Sequence, residues 1–160
     1  MPEQLTETDQ WPWAARFSSG MRRRRAARAR TVDSQTIRFY GPFDLAVEAP
    51  YLVKRGGYYY LFASYDVCCQ GTSSTYKVKV GRAASVTGPY YDKSGVALMN
   101  SGGTPVLESH GSVIGPGGQS VMNDTDGDLI VYHYYDGDDN GTPKLGINLL
   151  NWSTGWPVAH

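Results

Sequence analysis

The sequence predicts an all-β domain over residues 37–160, and three observations lead to that prediction. Gly, Tyr and β-branched residues are abundant there, as in short strands joined by tight turns. Runs that alternate polar with apolar residues recur between turn signals, and few polar stretches are long enough for amphipathic helices. Short strands at this spacing are typical of a sandwich, a barrel or a propeller, and periodicity alone is compatible with all three.

The first predicted element is a hairpin. Pro50–Arg55 and Tyr58–Ser64 are extended runs that flank Gly56-Gly57, and a glycine pair between such runs is a signal for a two-residue turn. Thr75–Arg82, "TYKVKVGR", then alternates polar with apolar or aromatic residues, as a half-buried strand does. The sequence therefore predicts three strands between residues 50 and 82.

A loop and a second hairpin follow. "SVTGPYYDKSG" is predicted as a loop because Gly88-Pro89 interrupts it. Gln119–Asn123 and Asp128–Tyr135 flank "DTDG" and are predicted to form the hairpin. Lys144–Leu150 is predicted as a further strand, and "NWSTGWPV" closes the chain with aromatic anchors.

Residues 1–36 differ from the rest of the chain. The 15 basic and 15 acidic residues balance overall, but residues 1–40 carry eight Arg against four acids, a net charge of +4. Residues 41–160 carry seven Lys or Arg against eleven acids, a net charge of −4. The run "MRRRRAARARTVDS" is cationic and has no apolar periodicity. Residues 1–36 are therefore predicted to be a basic, disordered leader, with a phosphate-binding arm as the alternative.

Two classes of partner are not predicted. No second basic stripe and no helix-turn-helix pattern accompany the arginines, which argues against a nucleic-acid partner. No apolar run approaches the roughly 20 residues that a helix needs to cross a bilayer. No apolar segment follows the arginines either, so the chain contains no predicted signal peptide and no predicted membrane contact.

Glu48 is the first candidate for chemistry. Its neighbours Val47, Ala49 and Pro50 are apolar, and burial would raise the pKa of a carboxyl group in such a place. A carboxylic acid that keeps its proton near neutral pH can protonate a leaving oxygen. The alternative is a glutamate at a strand edge that faces solvent or pairs with a lysine or arginine. The local sequence leaves both interpretations open.

The order of several motifs resembles the glycoside hydrolases of family 43, most closely the endo-1,5-α-L-arabinanase branch. The resemblance is carried by "VEAPYLVKRGGYYYLFASYDVCCQG" and "SSTYKVKVGR", then "GGTPVLESHGSVIGPGGQSV", "VYHYYDGDDNGTPKLGINLLNW" and "GWPV". It covers residues 44–158. Glu-Ala-Pro alone would be a weak signal, and the ordered set of motifs makes the match specific.

The resemblance implies a fold, a reaction and a substrate. The fold would be a five-bladed β-propeller, of which this chain would supply about the last two blades. The reaction would be inverting hydrolysis of α-1,5-linked arabinan or arabino-oligosaccharides, as in an extracellular enzyme. Three carboxylates serve it in the family: a general base, an aspartate that tunes the acid, and a general acid at the Glu-Ala-Pro motif. Glu48 matches the acid and would be the proton donor.

The two other carboxylates have no match in this chain. Upstream of Glu48 only Asp9, Asp33 and Asp44 are present, and none has the sequence context of the base or of the tuning residue. The expectation is therefore the C-terminal part of an arabinanase, whose activity alone is in doubt. A non-catalytic carbohydrate-binding β-module is the alternative.

Further site residues follow from the same resemblance. Tyr65, Cys68, Cys69 and Gln119 fall in segments that border the sugar-binding cleft and are predicted to contact substrate. The adjacent cysteines could form a vicinal disulfide, line the cleft as small side chains, or be buried thiols. The family often has a metal-approaching histidine where this chain has Gly118, so calcium is possible by resemblance, and no metal or cofactor is required by this sequence.

The remaining candidates have structural interpretations. His133 is predicted to be a structural residue of a strand, and His110 a loop residue. The acidic segments "DTDGD" and "DGDDNG" could attract calcium, since hard cations favour clustered oxygen ligands. Neither completes an EF-hand loop, and solvated turns are the better explanation.

Overall fold

The computed structural model describes residues 47–160, and the predicted leader with Asp9, Asp33 and Asp44 lies outside the described residues. Within residues 47–160, eight strands form two antiparallel sheets, each of four strands in sequential order. Sheet 1 contains β1 (Val47–Arg55), β2 (Tyr58–Tyr65), β3 (Lys77–Ala83) and β4 (Thr104–Leu107). Sheet 2 contains β5 (Val113–Asp124), β6 (Gly127–Asp136), β7 (Thr142–Asn151) and β8 (Val158–Ala159). The prediction of an all-β chain is confirmed for this part.

The hairpin of β1 and β2 forms as the sequence predicts. Gly56 and Gly57 both have positive φ, at 55° and 83°, which is the backbone conformation that the tightest hairpin turns require. Pairing runs from Arg55 opposite Tyr58 back to Val47 opposite Tyr65. The register shifts between Glu48 and Tyr51, so β1 carries a bulge close to its first residues.

The glycine-rich segment "GPGGQSV" lies in a strand. It is part of β5, which is twelve residues long and therefore much longer than the predicted Gln119–Asn123. The register with β6 shifts on both sides of Gly117, and Gly115 and Gly118 have positive φ. The glycines permit two bulges in succession, and these bulges hide the strand from a period-two search.

Two short strands escape sequence prediction for similar reasons. β4 has four residues, includes Pro105 and lies at the edge of sheet 1, which is where a sheet tolerates proline. β8 has only two residues and pairs with the end of β7. The predicted loop around Gly88-Pro89 is confirmed, since it contains only an isolated bridge at Tyr91.

Helical structure within residues 47–160 consists of three single turns of 3-10 helix: Gly71–Ser73, Leu98–Asn100 and Gly137–Asp139. None of the helices described is long and apolar enough to cross a membrane. The third turn belongs to "DGDDNG", where Asp136 accepts a hydrogen bond from the Asp138 backbone N–H at 2.9 Å. Lys144 Nζ contacts Asp136 at 2.6 Å and Asp139 at 3.2 Å, so one lysine pairs with two of the three aspartates of this turn.

The two sheets share one apolar core. Its buried members come from both sheets and from the last loop: Tyr60, Phe62, Val78, Val80, Leu107, Val121, Ile130, Tyr132, Leu150 and Trp156. Phe62 and Ile130 are fully buried, one in each sheet. Sequential strand order brings these alternate residues to one face of each sheet, and the faces pack together.

Asp128 corrects the interpretation of "DTDGD" as a wholly solvated turn. Its side chain is buried, and its carboxylate forms an ion pair with Arg55 and accepts a hydrogen bond from Asn123 Nδ2 at 2.7 Å. Arg55 belongs to β1 and Asp128 to β6, so this ion pair links the two sheets. A buried carboxylate with a charged partner is stable where an unpaired one would not be.

Replacing Phe62 by Ala should lower the free energy of unfolding by about 3–5 kcal/mol, because the change empties a fully buried site at the centre of the core. Urea denaturation of the 160-residue chain measures this loss. Leu145→Ala is the matched control, because Leu145 is 68% exposed and should change stability by only about 0.5 kcal/mol. Equal losses in the two variants would show that Phe62 is not the centre of the core.

Candidate functional site

Glu48 lies at the start of β1, where the strand bulges. Its Cα pairs with that of Ser64 in β2, and the following residue, Ala49, has a φ of 48°. Positive φ is unusual for a residue other than glycine and marks a locally constrained backbone. The Glu48 side chain is exposed, so its apolar sequence neighbours do not bury it within the described part of the chain.

A buried tyrosine holds the Glu48 carboxylate. Tyr76 directly precedes β3, is 3% exposed, and donates a hydrogen bond from its hydroxyl to Glu48 Oε2 at 3.0 Å. Burial is the largest cause that raises the pKa of Tyr76; a hydrogen bond with Ser64 opposes this effect and the hydrogen bond with Glu48 adds to it. The phenol therefore keeps its proton near neutral pH and acts as a donor.

Aromatic rings from sheet 2 surround Tyr76. The Tyr76 ring is stacked on His133 of β6, with centroids 6.0 Å apart and planes inclined by 30°. His133 also meets the edge of Tyr135 at 6.1 Å. His133 is therefore packed between two tyrosine rings next to the candidate site, and the sequence interpretation of it as structural stays a prediction.

A polar network fixes the bulge that carries Glu48. Ser64 is fully buried, and its hydroxyl donates to Gln119 Oε1 at 2.6 Å and accepts from the Gly118 backbone N–H at 2.9 Å. Gln119 Nε2 donates to the Ala49 carbonyl oxygen at 2.7 Å. Gln119 is 4% exposed, and its amide links β5 to both β1 and β2. A direct contact of Gln119 with substrate stays a prediction beside this anchoring role.

The three other predicted substrate-binding residues lie at and beyond the end of β2. Tyr65 is buried, which raises the pKa of its phenol to about 12, and Lys79 Nζ lies 5.1 Å from the centre of its ring. Cys68 and Cys69 are joined in a vicinal disulfide, so the alternative of free thiols is excluded. The Cys69 backbone N–H donates to the Tyr135 hydroxyl at 3.1 Å, which ties this loop to sheet 2. Cys69 is exposed. Direct contacts of Tyr65, Cys68 and Cys69 with a sugar stay predictions.

The described residues do not form a metal site by themselves. No group of three or more His, Cys, Asp or Glu side chains within residues 47–160 is arranged to hold a metal ion. At Gly118 a Cβ atom would lie 2.7 Å from His133 Nδ1, so the space beside that backbone is taken by the imidazole ring. His110 lies in the loop between β4 and β5, as predicted, with Nδ1 2.9 Å from the Glu108 carbonyl oxygen.

A separate cleft of about 170 Å³ lies at the other end of β1, lined by Arg55, Gly56, Tyr58, Tyr60, Arg82, Trp152 and Gly155. Seven residues of extended strand separate Glu48 from Arg55, which is about 23 Å. Arg82 donates to the Gly155 carbonyl oxygen at 3.1 Å and packs over Tyr58 and Trp156. The arginine and aromatic side chains of this cleft therefore hold the two sheets together.

Sequence analysis did not single out Tyr76, Ser64 or Gly117 as site residues. In "TYKVKVGR" Tyr76 shares the alternation of Val78 and Val80, and that pattern indicates a core residue, which it also is. Only the sheet register places its hydroxyl at Glu48. The order "STY" after the cysteines is a sequence signal, but the local pattern gives no reason to assign it a role.

The sequence of this chain is similar to those of known proteins. Residues 9–157 match the family described as Glycosyl hydrolases family 43. The extracellular endo-alpha-(1->5)-L-arabinanase 1 of Bacillus subtilis is 53% identical over 112 residues, 70% of this chain and 34% of that protein. A probable arabinan endo-1,5-alpha-L-arabinosidase A of Neosartorya fischeri is 44% identical over 144 residues, 84% of this chain and 45% of that protein.

Solved structures give the same result. An exo-1,5-alpha-L-arabinanase from a bovine ruminal metagenomic library superposes with a TM-score of 0.69 at 37% identity, covering 72% of this chain and 38% of that one. The alpha-L-arabinanase of Cellvibrio cellulosa complexed with arabinohexaose gives a TM-score of 0.68 at 40% identity, covering 71% and 36%. This chain thus spans between a third and a half of the length of these relatives. It belongs to the glycosyl hydrolases of family 43.

Proposed function

We propose that this chain takes part in the hydrolysis of α-1,5-L-arabinofuranosidic bonds in arabinan, with inversion at the anomeric carbon and with Glu48 as the proton donor. The names of the two curated relatives support the substrate, and so does the arabinohexaose complex of the Cellvibrio enzyme. An extracellular location is proposed from the name of the Bacillus relative.

The observation that carries the proposal is the state of the Glu48 side chain. Its carboxyl group is exposed and accessible to a polysaccharide, yet Oε2 is held by a hydroxyl group from the buried Tyr76. A solvent-facing glutamate with no assigned role would not need a buried donor. An accessible carboxyl group on a constrained backbone is what a general acid requires.

The proposed reaction breaks the bond between the anomeric carbon and the glycosidic oxygen. The bonding electron pair stays on that oxygen, which takes the proton from Glu48. A water molecule bonds to the anomeric carbon from the opposite face and gives its proton to a general base, which an inverting glycosidase places roughly 6.5–9.5 Å from the acid. Residues 47–160 supply the acid in this scheme, and we assign neither the base nor the tuning aspartate.

We also propose that the two sheets are two neighbouring blades of a five-bladed propeller. Each sheet has four antiparallel strands in sequential order, which is the arrangement within a propeller blade. The division into a leader of residues 1–36 and a β-domain of residues 37–160 stays a prediction.

A carbohydrate-binding module without catalysis is the second candidate. It is favoured by one gap in the proposed machinery: no carboxylate of residues 47–160 is assigned as the general base that an inverting glycosidase needs. Such a module would bind arabinohexaose with the same affinity when Glu48 is replaced by Gln.

Replacing Glu48 by Gln should lower kcat by about 10²- to 10⁴-fold, because the amide cannot donate the proton that general acid catalysis supplies. The measurement is the release of reducing sugar from linear arabinan by a chimera. In it, residues 47–160 replace the aligned region of the Bacillus subtilis relative.

Glu108→Gln makes the same chemical change at an exposed glutamate that follows β4, and it should leave kcat unchanged. Full activity of the Glu48→Gln chimera would remove Glu48 from the role of proton donor. An inactive parent chimera that still binds arabinohexaose would favour the module.

Replacing Gln119 by Ala should lower the free energy of unfolding by about 1–3 kcal/mol, because it leaves the Ser64 hydroxyl and the Ala49 carbonyl oxygen without their partner. Urea denaturation measures the loss, and Gln70→Ala is the exposed control. In the chimera we expect a lower kcat at an unchanged KM, since Gln119 acts on the backbone next to Glu48. A raised KM at an unchanged kcat would instead support the predicted substrate contact.

A further inference from the structure

We infer that Tyr76 is the positioning residue of the proposed proton donor, directing the proton of Glu48 to Oε1 by occupying Oε2, and that Gly117 is glycine to admit the Tyr76 ring. This inference rests on the proposed function of Glu48. It names two residues, in two different sheets, that prepare the acid for its reaction.

The phenol of Tyr76 has to reach past a neighbouring strand to contact Glu48. Glu48 pairs with Ser64, and Ser64 pairs with Val78, so β2 lies between the strand of the acid and the strand that Tyr76 precedes. Two strand spacings amount to about 9–10 Å. The Tyr76 and Glu48 side chains together cover this distance and meet in a hydrogen bond of 3.0 Å, with the phenol as the donor. Phenylalanine would fill the same space without the donor.

The second step concerns Gly117. A Cβ atom there would lie 2.1 Å from two carbon atoms of the Tyr76 ring, a distance that no side chain can adopt. Gly117 does not have the positive φ of Gly115 and Gly118, so its backbone conformation does not demand glycine. The space that the Tyr76 ring occupies is what demands a glycine at this position. The strand of sheet 2 is therefore shaped around a side chain of sheet 1.

The third step concerns what keeps the ring still. Tyr76 is buried, its ring stacks on the imidazole of His133 and fills the space beside Gly117, and its hydroxyl faces Glu48 and Ser64. Tyr135 meets His133 edge-on and contributes to the raised pKa of Tyr76. A buried side chain that is held by ring stacking and by a hydrogen bond has little freedom to move, and a fixed donor is the more effective one in catalysis.

The hydrogen bond from Tyr76 affects the proton transfer from Glu48 itself. With Tyr76 donating to Oε2, the proton of the neutral acid resides on Oε1, which is the oxygen left for the glycosidic oxygen. As that proton leaves, negative charge develops on the carboxyl group, and a hydrogen bond to a charged acceptor is stronger than one to a neutral acceptor. Tyr76 therefore stabilises the transition state more than it stabilises the complex with bound substrate. Loss of its hydroxyl is expected to lower kcat for that reason.

The contact is tested on the 160-residue chain with tyrosine labelled at the ring carbon that bears the hydroxyl. NMR titration follows the ionisation of each phenol, and Tyr76→Phe identifies the resonance. Replacing Glu48 by Gln should lower the pKa of Tyr76, because the negative charge that helps to raise it is removed. Glu108→Gln should leave it unchanged. A Tyr76 titration that is the same in wild type and in Glu48→Gln would overturn the inference.

The role is tested in the chimera. Tyr76→Phe should lower kcat by about 10- to 100-fold with KM within about threefold, because the lost donor acts only as charge develops. Tyr132→Phe is the matched control: it removes the hydroxyl of another buried tyrosine, which donates to Asn148 in sheet 2 at 2.7 Å. Equal kinetics of the two variants would overturn the role of Tyr76.

The two proposals fail in different ways. If Glu48→Gln retains activity while the Tyr76 pKa still responds to Glu48, the assignment of the proton donor is wrong and the Tyr76 contact stands. If Glu48→Gln is inactive while Tyr76→Phe behaves as Tyr132→Phe does, the function stands and the positioning role is wrong.

Discussion

A short chain of hydrogen bonds between Ser64, Gln119 and the Ala49 carbonyl oxygen fixes the two sheets to each other at the bulge of β1. Both side chains are buried, so neither can exchange its partner for water without a cost in free energy. The network binds the carbonyl group of Ala49, a residue whose positive φ is unusual for anything but glycine. The direction of Glu48, and with it the proposed chemistry, depends on a network that lies beneath the surface.

Polar contacts also join the two sheets away from the site. Arg55 of β1 and Asp128 of β6 pair across the sheets, and the Tyr60 hydroxyl donates to the Gly155 carbonyl oxygen at 2.7 Å. Apolar packing gives the core its stability, but it has no direction and does not set the angle between two sheets. Hydrogen bonds and ion pairs at both ends of β1 set it.

Much of the fold can be predicted from this sequence, and the exceptions have physical causes. Hairpins with a glycine turn and strict alternation are local signals, and β1, β2, β6 and β7 are found close to their predicted positions. The glycine-rich half of β5 and the edge strand β4 are not, because bulges and proline break the period on which prediction relies. Glu48 became a candidate through its resemblance to a known motif, and its role stays a prediction. Tyr76 could not be found in this way, because its hydroxyl meets Glu48 only through pairing between distant segments.

The vicinal disulfide has a practical consequence for handling this protein. Cys68 and Cys69 close a small ring, and the Cys69 backbone N–H within it donates to the Tyr135 hydroxyl, so the redox state of two adjacent sulfur atoms bears on a loop that connects both sheets. Dithiol reductants are routine additions to purification buffers, and they act by exchange at an accessible disulfide. Cys69 is exposed. Preparations made with and without such a reductant are therefore chemically different samples, and their ligand affinities should be compared only after a count of free thiols.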